Sequence, residues 1–418
     1  MTPPVALRVR ALSIHAGYHC RNTGVCCSSG WEIPVEQGVE MHLRNALGAG
    51  RLRIPEAGVP STLARAGGAV ACFRTVPALP HGAKVVLAAD SSGRCTFLDA
   101  DERCAIHRQL GPEALPSACR DFPRVVTLTP LGVSITLSHY CPTAASMLFT
   151  PVTLSDPRLP GGEGSALRIL ENPPGFPPSW PYEGLDARDA LPPLLRPGVL
   201  MDWPSLERWE EFAVSVLGDE TRTPEAALDV LAGAAEEARR WTPEQGALED
   251  RFSTARKRTS SDAEELPLPQ SPASGISGVS RSVCQSLDPP AWQVVADSIP
   301  HGSLLPSPPY GLDDAERLVT MGWPSLATPI LHWLAAKAFA SWLALQGEGL
   351  RTTVLGLRLA LDVLRAEAGR GCAGAGRTLD AGLLKEAVRR ADLLLVHLAD
   401  PAALAKRLSR CERRPGLS

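Results

Sequence analysis

Eight of the eleven cysteines, Cys20, Cys26, Cys27, Cys72, Cys95, Cys104, Cys119 and Cys141, lie in the first 141 residues of this 418-residue chain, and only Cys284, Cys372 and Cys411 follow. No other feature restricts the fold as much. Thiols at this density form a disulfide framework in a secreted chain and metal sites in a reducing compartment. Residues 1–20 (MTPPVALRVRALSIHAGYHC) lack the apolar core of a secretion signal, so the sequence reads as cytoplasmic and its clustered cysteines as metal ligands. Taken singly, Cys72, Cys284, Cys372 and Cys411 read as small buried apolar side chains, which need no partner.

Composition narrows the partners. With 42 basic and 45 acidic side chains the net charge is -3, so no field draws in nucleic acid or an acidic membrane. No stretch reaches the ~18 apolar residues of a membrane span. A hydrophobic content of 44% is enough for a packed core, while 39 prolines and 36 glycines predict long irregular connections.

Along the chain, Val35, Val39, Leu43 and Leu47 repeat at helical spacing and predict a short helix. KVVLAA, RCTFL and CAIH, separated by the turns DSSG and DADER, predict an antiparallel meander carrying Cys95 and Cys104. A hairpin is predicted over Arg124 to Ser138, with Val133, Ile135 and Leu137 alternating against polar residues. It leads to Cys141, where Pro142 opens a helix whose N-terminal dipole favours a thiolate. Residues 151 to 200 are proline-rich and irregular; Pro204 to Leu217 and Pro224 to Trp241 read as two helices, the second capped by Thr223. From about Thr254 to Asp288 the chain lacks periodicity and reads as a disordered linker. Beyond it, Pro324 to Gln346, Leu350 to Ala368, Leu379 to Leu398 and Pro401 to Cys411 carry helical apolar stripes; Trp323, Trp333 and Trp342 furnish either core or the wall of an apolar pocket.

The fold class is therefore α+β. A small cysteine-rich metal-binding domain of short antiparallel strands and helices (1–150) precedes a proline-rich connection with a helical pair (151–252), a disordered linker (253–290) and a helical domain (291–418). The metal ligands are Cys20, Cys26 and Cys27 on one loop, Cys95 and Cys104 on facing strands, and Cys119 and Cys141 on later turns. Zinc takes four N or S ligands and an iron-sulfur cluster takes four thiolates, so this set is ample for either. Adjacent cysteines of an extended segment face opposite ways, and Cys26 and Cys27 serve one ion together only where the loop is sharply bent. His15, His19, His107 and His139 lie nearby, as further ligands or as hydrogen-bonded structural histidines.

The order of these residues resembles the YkgJ-type cysteine-cluster family (CxxCxxCC, zinc- or iron-chelating), and within it the flagellin lysine N-methylases (FliB-like). The resemblance is carried by YHCRNTGVCCSSGWEIPV at 18–35, GRCTFLDADERCAIHRQLG at 93–111, SACRDFPR at 117–124 and ITLSHYCPTAASMLF at 135–149. Here Phe122 stands where those methylases have tyrosine and Thr143 where they have glutamate. Thr23 stands at the second cysteine of the wider pattern, so either Cys141 or Cys72 completes the set or the site differs from that of the wider family. The resemblance implies a [4Fe-4S] cluster, S-adenosylmethionine as methyl donor, and a protein substrate presenting flagellin-like lysines. The residues themselves leave a second reading open, a zinc- or iron-binding module with a structural or chelating role. No G-x-G-x-x-G after a strand, C-x3-C-x2-C, G-x-S-x-G, Walker loop or H-E-x-x-H occurs, which excludes those motif-defined chemistries.

Overall fold

The computed structural model describes residues 8–29, 31–55, 72–76, 85–90, 92–150, 167–180, 182–261, 291–299 and 313–412. The chain forms two units: one comprises Met1–Tyr18, Val125–Tyr140 and Ala144–Ser418, and the other His19–Arg124 with Cys141–Thr143. The strand and the hairpin that frame the cysteine-rich stretch thus belong to the larger unit, so the division falls elsewhere than after residue 150.

In the smaller unit the predicted helix runs over Gln37–Gly48 and turns Leu43 and Ala46 into the core. That core is small and includes Ile33, Val35, Leu43, Phe97, Leu98, Ile106 and Leu115. Strands Phe73–Thr75 and Val85–Leu87 pair antiparallel, Phe73 opposite Leu87 and Thr75 opposite Val85. The rest of the predicted meander does not form. Residues 94 to 104 make only the isolated bridges Ala89 to Cys95 and Leu98 to Cys104, and CAIH opens a helix, Ala105–Leu110, instead of a strand. The reason is local. Asp90 accepts from the amides of Ser92 and Arg94, Asp99 from that of Arg103, and the two tight turns leave too few residues for a ladder.

The larger unit is built on a five-stranded sheet in the order Ile169–Glu171, Val9–Leu12, Gly132–Leu137, Arg124–Thr129, Leu185–Asp186. Val9 lies parallel to Val133, Arg10 antiparallel to Glu171, and Thr127 parallel to Leu185. Arg124–Thr129 and Gly132–Leu137 are the predicted hairpin, but its alternation does not leave a solvent face, since Ser134, Thr136 and Ser138 are buried too. Helices cover the second face and take up its hydroxyls: Thr136 Oγ1 donates to the Ala336 carbonyl at 3.1 Å and Thr127 Oγ1 to that of Ala340 at 3.0 Å. The proline-rich stretch contributes edge strand Ile169–Glu171 and a small hairpin, Leu194–Arg196 with Val199–Leu200.

Both predicted middle helices are present. Trp203–Leu217 is capped by Asp202, which accepts from the Ser205 amide, and Pro224–Arg239 by Thr223, which accepts from that of Ala226. The predicted linker begins too early: Leu248–Ser261 is a helix, held by Leu248 and Phe252, buried at i and i+4, with Phe252 edge-on to Trp209 at 5.4 Å. Residues 262–290 of that linker lie outside the described residues, as does Cys284. The predicted helix from 324 to 346 is a 3-10 turn, Trp323–Leu326, and two helices, Ala327–Ala338 and Trp342–Gln346. Ala340, at φ 55, breaks it, and the break is fixed from afar by Glu210, whose carboxylate accepts the Ala340 amide at 3.0 Å. Helices Leu350–Ala375, Ala381–Asp392 and Pro401–Glu412 complete the unit, the last two joined through a π-helix, Leu393–Leu398. No helix among the described residues is long and apolar enough to cross a membrane.

Candidate metal centre

Every cysteine predicted as a ligand falls in the smaller unit. The first loop bends where the extended reading of Cys26 and Cys27 would keep it straight: Val25–Ser28 is a single 3-10 turn entered through Gly24 at φ 67. A Cβ on Gly24 would lie 2.0 Å from the Glu102 carbonyl oxygen, so only glycine permits the entry. The bend brings the sulfurs of adjacent Cys26 and Cys27 to 4.0 Å. Four sulfurs at ~2.3 Å around a tetrahedral ion stand ~3.8 Å apart, so this pair has the spacing of two ligands of one ion.

Two turns of one design present the next pair. Asp90 to Cys95 and Asp99 to Cys104 both read D-x3-R-C, and in both the aspartate carboxylate accepts the arginine amide while the cysteine follows. Each cysteine amide is tied to the first loop, that of Cys95 to the Cys27 carbonyl at 2.7 Å and that of Cys104 to Asn22 Oδ1 at 3.3 Å. This nine-residue echo is the signal that the sequence reading passed over. Cys119 comes from the short helix Ser117–Asp121, whose first amide donates to Glu36 at 3.1 Å. Beside it Phe122 packs on Trp31 with ring centroids 5.6 Å apart.

The thiols perturb one another. Cys27 is pushed far up by its sulfur neighbours Cys104, Cys26 and Cys95, with burial adding to them, whereas Cys26 is drawn down by Cys27. Cys104 is lowered to about 7, chiefly by Cys27; the amides of Ile106 and His107 also face its sulfur, without closing a full cap hydrogen bond. Cys119 keeps some surface as a residue, yet enclosure of its sulfur, then Cys26, Cys95 and Cys104, pushes it well up. Among the described residues no group of three or more His, Cys, Asp or Glu side chains stands in a geometry that could hold a metal ion. The sulfurs are thus neighbours crowded into one place and not a coordination shell. Their chemistry is all thiol, the donor set of zinc and of iron-sulfur clusters.

The other predicted residues divide. Cys20 is exposed, and its sulfur accepts the Asn22 amide at 3.3 Å. Cys141 is buried at the start of helix Pro142–Met147, and Cys141–Thr143 join the smaller unit although the residues on both sides belong to the larger one. Thr23 is exposed. Cys72 is buried in the apolar core and raised to about 11, first by burial and then by Cys95. His19 is exposed and His107 half-buried. His15 and His139 belong to the larger unit, where they are wholly buried with their Nε2 atoms 3.2 Å apart.

Set against protein-family models, curated protein sequences and solved structures, the chain finds no match in any of the three.

Proposed function

We propose that the smaller unit is a metal-binding module that holds zinc or an iron-sulfur cluster through Cys26, Cys27, Cys95, Cys104 and Cys119, with Cys20 and Cys141 as the further ligands. The observation that carries this reading is the convergence of sulfurs from four separate segments, two of them pinned to the first loop by their own cysteine amides. Thiols crowded and enclosed in this way repel one another as thiolates, and a cation relieves that repulsion. When bound, the metal would supply links between segments that share only a small apolar core, the usual role of a staple in an irregular fold.

Elemental analysis and absorption spectroscopy after anaerobic purification test the reading. Serine at Cys27, Cys95 or Cys104 is expected to lower the bound metal, and serine at Cys411 to leave it unchanged. A metal-free wild-type protein, or full metal retention in all three variants, would sink the proposal. A brown protein with iron and sulfide identifies the cluster, and a colourless one with stoichiometric zinc the structural ion.

Methyl transfer from S-adenosylmethionine to protein lysines is the extension implied by the resemblance of the CCxxGW, CTFLD, CRDFPR and CPTAA segments to the flagellin lysine N-methylases. Catalysis requires donor and acceptor to be held together. Calorimetric titration of the metal-replete full chain with S-adenosylmethionine is therefore expected to show binding; no heat would leave the metal module standing alone.

A further inference from the structure

The larger unit carries a second group of charged side chains, which the metal reading does not use. Asp392, fully buried at the end of helix Ala381–Asp392, is surrounded by donors. Its Oδ2 accepts the His139 amide at 2.5 Å and lies 3.3 Å from His139 Nδ1; its Oδ1 accepts from Trp333 Nε1 at 2.9 Å and meets the Lys337 ammonium at 2.7 Å. Burial favours the neutral acid, but Lys337 and His139 override it and hold the carboxyl well below the usual carboxylate range.

Lys337 also contributes to the wall of a half-enclosed cavity of about 120 Å³. The π-helix that follows Asp392 contributes Leu395 and Val396 to the wall, and Trp342, Leu343 and Leu357 add to it. Among the described residues that line the cavity, Lys337 alone is charged. Two neutral polar groups on the wall are engaged elsewhere: Thr136 Oγ1 on the Ala336 carbonyl, and Trp342 Nε1 on that of Val126 at 3.0 Å. With Ser341 and Thr353 as further hydroxyls, the wall is otherwise apolar around one cation, and the size of the space sets the size of what it takes. An apolar cavity of ~150 Å³ accepts benzene, so this smaller space takes a single ring or a branched chain only with part of it reaching through the open side.

An ammonium has three N–H donors, and Asp392 engages Lys337 through one oxygen. Asp392 keeps the His139 amide, the His139 ring and Trp333 if that ammonium is shared. A second carboxylate received on Lys337 then shares the one ammonium with Asp392, whose charge the His139 amide and Trp333 continue to offset.

We propose that this cavity is a binding site for a small aromatic or branched aliphatic carboxylic acid, its apolar body between Trp342, Leu343, Leu357 and Leu395 and its carboxylate on the Lys337 ammonium. The inference shares no residue with the metal centre and is independent of it.

Benzoate and benzamide, equal in size and shape and different in charge, are the probes, titrated calorimetrically into the full chain at neutral pH. Benzoate is expected to bind about tenfold more tightly, the difference that one charge-assisted hydrogen bond supplies. In Lys337→Gln that preference disappears while the weak benzamide affinity stays. Gly356→Val leaves the Lys337–Asp392 pair in place and fills the cavity, since a Cβ at Gly356 already lies 2.1 Å from Leu343 Cδ2; it is expected to weaken both probes. Circular dichroism checks that each variant keeps its helices. Equal affinity of the two probes, no binding of either, or unchanged benzoate affinity in Gly356→Val would each overturn the proposal.

Discussion

Gly24 shows how one residue sets the geometry of the thiols. Its φ of 67 and the 2.0 Å approach of a would-be Cβ to the Glu102 carbonyl mean that alanine has to distort either the 3-10 turn of Cys26 and Cys27 or the second D-x3-R-C turn. Gly24→Ala is expected to destabilise the smaller unit by roughly 1–3 kcal/mol, read from its urea midpoint, and to lower its metal content. Cys141 is the test of the remaining ligand assignment. It returns to the cysteine unit with only Pro142 and Thr143. Alanine at Cys141 is expected to reduce bound metal in elemental analysis, and full retention would remove Cys141 from the ligand set.

At the scale of elements, helix Leu248–Ser261 separates a local reading from a tertiary one. Its sequence is polar enough to pass for linker, and its place depends on Leu248 and Phe252 reaching the core. Phe252→Ala is expected to cost about 3–5 kcal/mol, as large buried aromatics do, in denaturant unfolding of the larger unit. A loss below about 1 kcal/mol would show that the helix is not docked there. The cap residues behave differently, since Asp202 and Thr223 act within their own turns, and Thr223 was legible from spacing alone.

Over the whole molecule, buried imidazoles make stability depend on pH. Burial is the first cause in each case: it lowers His15 well below the usual imidazole range, lowers His332, and brings His397 down to about 4. All three stay neutral in the native state where the unfolded chain, with histidines near ~6.5, takes up protons. Their contribution to stability is therefore complete above pH ~6.5 and is lost as the pH falls from there toward about 4, by at most ~1.4 kcal/mol per proton per pH unit. Urea midpoints measured between pH 7 and pH 4.5 should fall accordingly, while the imidazole resonances of His15, His332 and His397 in the native protein stay neutral where the unfolded chain takes up protons. An unchanged midpoint across that range would contradict the assignment.

The sequence by itself determined the elements whose signals are local. Helix Gln37–Gly48, the hairpin before Cys141, the helix beginning at Pro142 and the capped helices after Asp202 and Thr223 all follow from periodicity, proline and turn chemistry within a few residues. It also determined that the cysteines are clustered, though not which of them meet. Tertiary structure alone decided that Cys26 and Cys27 turn the same way, because Gly24 must fit under Glu102; that residues 94 to 104 form turns rather than strands, because Asp90 and Asp99 capture nearby amides; and that helix 324–346 breaks at Ala340, because Glu210 holds its amide. Val9–Leu12, a four-residue run, becomes a central strand only because Gly132–Leu137 and Ile169–Glu171 flank it. In each of these cases the deciding partner lies beyond the window that a periodicity can span, and a backbone amide or carbonyl follows whichever partner the fold brings to it.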